Sequence, residues 1–315
     1  MIINLVVFIG SLVLLVAAGN FLVKGAKSVA LKAHLSPLVV GLTIVAFGTS
    51  APELFISIKS AIIGSPDIAI GNVVGSNICN LTLVLGMAAV VNPILVKRNS
   101  IRIDWPVAMG SGLLLYFFAL NNTLNTLEGI IFLIILTVYL FLVIKKSRKD
   151  VMAIKALEKE IVDPANLSQP LWKDLAWIVI GCAGLYFGAE WFVGSVVVLA
   201  ESLGISERVI GISVVALGTS LPELVTAVIA AHKKETDLAL GNLIGSNIFN
   251  IFSILGITAV IQDISINQMI ISYDIWWMLG ITAIILPIML TQKDINRIEG
   301  IFLLVIYGVY MFLLF

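Results

Sequence analysis

The chain has 315 residues, 60% of them hydrophobic and 12% charged, with 19 basic against 19 acidic side chains and a mean hydropathy of +1.09. A soluble domain carries about 25% charged residues, so this composition excludes a water-facing surface, and the zero net charge gives no bulk attraction to nucleic acid. Continuous apolar runs near the ~20 residues that cross a bilayer predict an all-α, multi-pass membrane protein in contact with lipid, and not a barrel of alternating segments of roughly ten residues.

Ten transmembrane helices are predicted, at 2–22, 37–61, 68–92, 104–121, 127–144, 174–197, 208–231, 238–261, 270–290 and 299–315. No basic residue precedes Lys24, so the opening run reads as the first span with its N-terminus outside, not as a cleavable signal. The positive-inside rule tests that count. With the N-terminus outside, the cytoplasmic loops hold Lys24, Lys27, Lys32, Lys97, Arg98, Arg102, Lys145, Lys146, Arg148 and Lys149. They also hold Lys155, Lys159, Lys173, Lys233, Lys234, Lys293 and Arg297, which leaves only Lys59 and Arg208 on the other face. Cys79 and Cys182 sit inside apolar segments and read as small apolar fillers.

The charged stretch 145–173 is predicted to be a part-helical cytoplasmic linker. It divides the chain into a first five-span half, 1–144, and a second, 174–315. Aligned at an offset of 170 residues, 41–86 and 211–256 share 21 identities in 46 positions. GTSAPE at 48–53 returns as GTSLPE at 218–223, and GNVVGSNICN at 71–80 returns as GNLIGSNIFN at 241–250. EGIIFL at 128–133 also resembles EGIFLL at 299–304, so the duplication covers the whole half. Five spans is an odd number, so the second copy is expected to be inverted in the membrane, the arrangement of secondary transporters with a midplane site.

Each copy carries chemistry that apolar surroundings do not tolerate idly. Pro52 lacks an N–H and clashes with the carbonyl at Gly48, which predicts a broken helix around Ala46–Gly48 with freed carbonyl oxygens. Glu53 adds a carboxylate that would cost ~2.5–3.5 kcal/mol at the bilayer centre and must therefore face the bundle interior. Thr49 and Ser50 lie one turn before it, and Asn72, Ser76 and Asn80 form a stripe at i, i+4 and i+8. Gly71 and Gly75 are expected to admit a neighbouring helix. Thr219, Ser220, Pro222, Glu223, Asn242, Ser246 and Asn250 repeat the set. Asp67 and Asp237, just before their spans, read as helix caps.

Together the copies offer two carboxylates, hydroxyls and carboxamides, every one an oxygen donor. His34 and His232 lie near span ends, so zinc and copper chemistry is not indicated. The donor set suits a hard cation, calcium or sodium in its place, better than magnesium, which retains its waters. A proton-coupled exchanger and a passive channel remain alternatives. An enzyme is not expected, because no activated nucleophile is visible.

At these motifs the chain resembles the cation/calcium exchanger superfamily, specifically prokaryotic sodium/calcium exchangers. The resemblance spans nearly the whole sequence. It implies a sodium-for-calcium antiporter of the cell (inner or plasma) membrane working by alternating access, with no cofactor and no obligate protein partner. It also implies that Glu53 and Glu223 are the principal calcium ligands, helped by backbone oxygens around Thr49 and Thr219. Sodium would take further ligands from Ala46, Ala216, Ser50, Ser220, Ser76 and Ser246. The first and sixth spans, near Asn20 and Glu190, would slide across the core. Some relatives carry Asp where this chain has Asn250, and potassium-dependent exchangers share that Asp. Asn at both 80 and 250 therefore implies potassium independence.

Overall fold

The helices turn their apolar side chains outward and their polar ones inward, as a bilayer requires. Ile298 and Phe312 are among the most exposed apolar residues, whereas Glu53, Asn80, Glu223, Asn242 and Asn250 are buried. The computed structural model describes residues 2–158, 170–202, 216–291 and 293–314. Among these, seven helices are long and apolar enough to cross a membrane, and a bent pair, Pro37–Thr49 with Ala51–Ile62, makes an eighth. The chain is a multi-pass membrane protein. Of the predicted spans, 104–121 appears as the 15-residue helix Trp105–Ala119. For 208–231, residues 208–215 lie outside the described set.

In chain order, α1 covers Ile2–Lys32, ten residues beyond its predicted end. After it come α2, Pro37–Val40, a π-helical segment Gly41–Val45, and α3, Ala46–Thr49. Next are α4, Ala51–Ile62, α5, Pro66–Cys79, a π-helical segment Asn80–Val84, and α6, Leu85–Val91. Strand β1 (Ile94–Leu95) and the π-helical segment Ser100–Asp104 precede α7, Trp105–Ala119. Strand β2 (Thr123–Leu124) leads into α8, Thr126–Glu158, which carries the helix well into the expected linker.

The second half opens with α9, Leu171–Ser202. It continues with α10, Ala216–Thr219, α11, Leu221–His232, and α12, Thr236–Phe249. A π-helical segment Asn250–Leu255 then leads to α13, Gly256–Ile261. Strand β3 (Ile264–Ser265), the π-helical segment Ile270–Asp274, α14 (Ile275–Leu290), β4 (Asp294–Ile295) and α15 (Arg297–Leu314) complete the described chain.

Local conformation repeats along with the sequence. The π-helical segment at Asn80 has its counterpart at Asn250, and that at Ser100 its counterpart at Ile270. Gly64 and Lys234, 170 positions apart, both adopt positive φ, of 82° and 62°. Strand pairing then crosses between halves: β1 pairs with β4 through Ile94 and Ile295, and β2 with β3 through Leu124 and Ile264. Both pairs are antiparallel, so each half's short strands are satisfied by the other half.

Two long helices, α1 and α9, pack along one another on one flank. Their partly buried Lys32–Asp174 ion pair ties them at one end. Inside, α12 presses so closely on α2 that a Cβ on Gly241 would lie 2.2 Å from the Leu38 carbonyl oxygen. A Cβ on Gly41 would in turn lie 2.6 Å from the Leu238 carbonyl oxygen. The close approach expected at Gly71 and Gly75 is therefore seen at their counterparts, Gly241 and Gly245. Around Gly71 and Gly75 no described atom lies within 4 Å, and segment 203–215 falls outside the description.

Asp67 and Asp237 do not cap. Each lies in the first turn of its helix, where a carboxylate favours the helix dipole, but each side chain is spent across the halves. Asp67 accepts from the Asn267 amide at 3.2 Å, and Asp237 pairs with Lys97.

Candidate ion-binding site

The helix break falls two residues beyond the stretch that the sequence suggested. It is at Ser50, not across Ala46–Gly48, and bends the helix axis by 45°. Ser50 (φ −86°, ψ 8°) ends α3 and starts α4, and Ser220 (φ −86°, ψ 3°) repeats this between α10 and α11. Pro52 and Pro222 sit near the start of the new helices, where a missing N–H costs least. The clash with the carbonyl four residues back is thereby relieved on the N-terminal side of the proline. The Ala46 carbonyl is not stripped bare, since it accepts from Ser50 N at 3.0 Å and from Thr49 Oγ1 at 3.4 Å.

This shift has a chemical result. Glu53 and Glu223 fall in the first turn of α4 and α11. There the helix N-terminus supplies partial positive charge to a carboxylate that apolar surroundings would otherwise disfavour. Each glutamate is 1% exposed. They lie within Coulombic reach of each other, and among the described residues no basic side chain forms an ion pair with either.

Around them the two halves interlock. Ser50 Oγ of the first half donates to Glu223 Oε1 of the second at 3.0 Å, and Ser246 Oγ approaches the same oxygen at 3.5 Å. Thr49 Oγ1 donates to Asn242 Oδ1 at 3.2 Å. Asn72 braces α4 against α5, donating to the Glu53 carbonyl at 3.3 Å and to Ser57 Oγ at 3.2 Å. Thr219 departs from Thr49: it is half-buried and lines a cavity of about 290 Å³. That cavity runs between α9, at Tyr186, Glu190 and Val193, and both breaks, at Pro52 and Pro222. Ala216 opens α10. Cys79 and Cys182 are free thiols.

The notable feature is what the protein leaves unpaired. Both Glu53 carboxylate oxygens, Glu223 Oε2, Ser76 Oγ, Ser220 Oγ, Asn80 Oδ1 and Asn250 Oδ1 are buried with no hydrogen-bond partner among the described residues. Buried polar atoms are ordinarily satisfied, and each exception costs ~1–3 kcal/mol. These seven are all oxygens on residues of the duplicated motifs; six further atoms are unpaired as well, Asn242 Nδ2 within the motifs and Ser100 Oγ, Asp104 Oδ2, Thr226 Oγ1, Thr258 Oγ1 and Asp294 Oδ1 outside them. A hard cation needs such a set of oxygen donors. Among the described residues no group of three or more His, Cys, Asp or Glu is placed to hold a metal ion, so a cation here would draw on the two carboxylates together with neutral oxygens.

Sequence reasoning missed Asn77 and Asn247. Both are buried, and each donates its Nδ2 to the other's backbone carbonyl, at 3.2 and 3.1 Å. Their signal was present in the sequence, since each is the Asn of a GSN triplet found in both copies.

The family model described as sodium/calcium exchanger protein matches residues 3–145 and 173–315. The chain belongs to the sodium/calcium exchanger family. A protein of Alkalimonas amylolytica named as the antiporter CaxA is 37% identical over 96% of each chain. The sodium/calcium exchanger MaX1 of Methanosarcina acetivorans is 35% identical over 99% of each. Among solved structures, the sodium-calcium exchanger NCX_Mj soaked with zero Na+ and Ca2+ superposes with a TM-score of 0.84. That match has 29% identity and covers 100% of this chain and 99% of NCX_Mj. Exchangers are transporters, so membership places this chain among transport proteins.

Proposed function

We propose that this exchanger moves calcium against sodium across the cell membrane by alternating access at one site built from both motif copies. The observation that carries the reading is the set of unpaired buried oxygens around Glu53 and Glu223. Two carboxylates call for about two positive charges, which one calcium or two sodium ions supply. The two loads therefore exclude each other. The principal ligands in this reading are Glu53 and Glu223, with Ser76, Ser220, Asn80 and Asn250 turning oxygen toward the same space. Ser50 and Ser246 hold Glu223, and Thr49, Thr219, Ala46 and Ala216 contribute from the segments that meet at the two breaks.

A doubly charged, ion-free site resists transfer through a low-dielectric barrier, which makes exchange obligatory. The unequal threonines support alternating access: Thr219 borders a cavity, whereas Thr49 is buried and hydrogen-bonded. Ten spans in two inverted halves, N-terminus outside, accommodate the observed strand pairs. Loops assigned to the basic face meet through β1 and β4, and those assigned to the opposite face through β2 and β3. The carboxylate count, two rather than three, supports potassium independence.

Sodium-loaded proteoliposomes diluted into sodium-free buffer test this reading. Radiolabelled calcium is expected to enter only down the sodium gradient, with or without potassium, and Glu53→Gln or Glu223→Gln is expected to abolish entry. Uptake that follows a proton gradient and ignores sodium would establish the proton-coupled alternative. Calcium flux with no counter-ion would establish a channel.

A further inference from the structure

Asn80 and Asn250 each leave one end of a carboxamide buried and unpaired among the described residues, and which end that is matters for a cation. The oxygen attracts a cation and the NH2 repels it. A side-chain amide is nearly symmetric in shape, so steric packing alone does not choose between the two orientations.

The choice is made by hydrogen bonds on the far side. Asn80 Nδ2 donates to Asn247 Oδ1 at 3.1 Å, and Asn250 Nδ2 donates to Asn77 Oδ1 at 3.0 Å. Asn77 and Asn247 are themselves locked, because each has its own Nδ2 committed to the other's backbone carbonyl. Their Oδ1 atoms therefore face Asn250 and Asn80. Reversing Asn80 would set its Oδ1 against Asn247 Oδ1, two acceptors with no proton between them. The oxygens left over, Asn80 Oδ1 and Asn250 Oδ1, are two of the buried unpaired atoms.

We propose that Asn77 and Asn247 are positioning residues that turn the carboxamide oxygens of Asn80 and Asn250 toward the transported cation. The inference rests on the reading of Glu53 and Glu223 as a cation site. The arrangement crosses between the halves, so each copy orients the ligand of the other. It also explains the spacing of the GSNIxN motif, in which the positioning Asn and the ligand Asn stand at i and i+3 on one helix face. Asp at position 80 or 250 could not make this contact, because an ionised carboxylate has no donor.

The test is a double-mutant cycle read by calcium-dependent thermal shift on the purified full chain. Asn247→Ala is expected to weaken the apparent calcium affinity about tenfold, the worth of one such hydrogen bond. In an Asn80→Ala background, with no amide left to orient, the same change is expected to cost less than about twofold. Asn80→Asp serves as a second background: its carboxylate meets Asn247 Oδ1 acceptor to acceptor, so Asn247→Ala is expected to cost no affinity there. Asn77→Ala with Asn250→Ala should behave in the same way. An equal loss in native and Asn80-substituted backgrounds would show a general packing role and overturn the proposal, as would no loss in the native background. If Glu53→Gln leaves native calcium binding unchanged, it is the cation-site reading that fails.

Discussion

Ser50 and Glu223, separated by 173 residues of chain, are joined by a 3.0 Å hydrogen bond in the centre of the molecule. The donor lies at the helix break of one copy and the acceptor one turn past the break of the other. Neither copy can form this contact by itself. Ser50→Ala removes a donor from a buried carboxylate, an interaction worth ~1.5–3 kcal/mol. The half-saturating calcium concentration for isotope uptake is expected to rise about tenfold or more. Ser246→Ala, whose hydroxyl stands at 3.5 Å from the same oxygen, should raise it by less. Equal effects would mean that both serines act only as filler.

Replacing the glutamates separates ion binding from folding. Two like charges buried close together oppose each other and the fold. Glu53→Gln keeps the shape and removes one of them. The ion-free protein in detergent is expected to melt at the same temperature or higher. Calcium at about a hundred times the native Kd should stabilise the native chain by about 2.7 kcal/mol and the variant not at all. A variant that melts lower without ions and still responds to calcium would contradict the assignment of Glu53 as a ligand.

Hydropathy made the membrane class readable, and the duplicated GTSxPE and GSNIxN segments named buried polar residues that the fold brings into contact across the two copies. The position of the break was not legible to the residue. Pro52 states which carbonyl must be avoided, but whether the chain yields at Gly48 or at Ser50 depends on the helix ends that neighbouring elements can satisfy. The π-helical segments at Asn80 and Asn250 were invisible for a related reason. An i+5 hydrogen bond changes no residue type, and only packing decides where one forms. Asp67 and Asp237 were misread because a local role, capping, was available in sequence, while the contacts with Asn267 and Lys97 exist only once the halves meet.

The approach of α12 to α2 leaves no room for side chains. On Gly241 a methyl group would face the Leu38 carbonyl oxygen at 2.2 Å, and a backbone atom cannot rotate away. Gly241→Ala is therefore expected to destabilise by at least ~1–3 kcal/mol. Gly110 is exposed in the interior of α7 with no described atom within 4 Å of such a methyl. Gly110→Ala should be neutral or stabilise by ~0.5–1 kcal/mol through the backbone entropy it removes. Thermal melting of both variants in one detergent gives the comparison, and a Gly241→Ala protein as stable as Gly110→Ala would refute the close crossing.

The duplication also left a second pair of buried contacts. Tyr139 Oη donates to Asp104 Oδ1 at 3.1 Å, and Tyr310 Oη donates to Asp274 Oδ1 at 3.3 Å. Asp104 is 2% exposed, with its other oxygen unpartnered, whereas Asp274 is only half-buried. Removing the donor leaves Asp104, at 2% exposure, with far less access to a replacement from solvent than Asp274 has. Tyr139→Phe is accordingly expected to destabilise by ~1–3 kcal/mol. Tyr310→Phe should cost well under half of that, since solvent can replace the lost hydroxyl at Asp274. Melting the two variants side by side tests the difference, and it should vanish when Asp104→Asn is combined with Tyr139→Phe. Asp104→Asn brings its own donor and no longer buries a charge. A persistent loss in that double variant would assign Tyr139 a packing role instead of a hydrogen-bonding one.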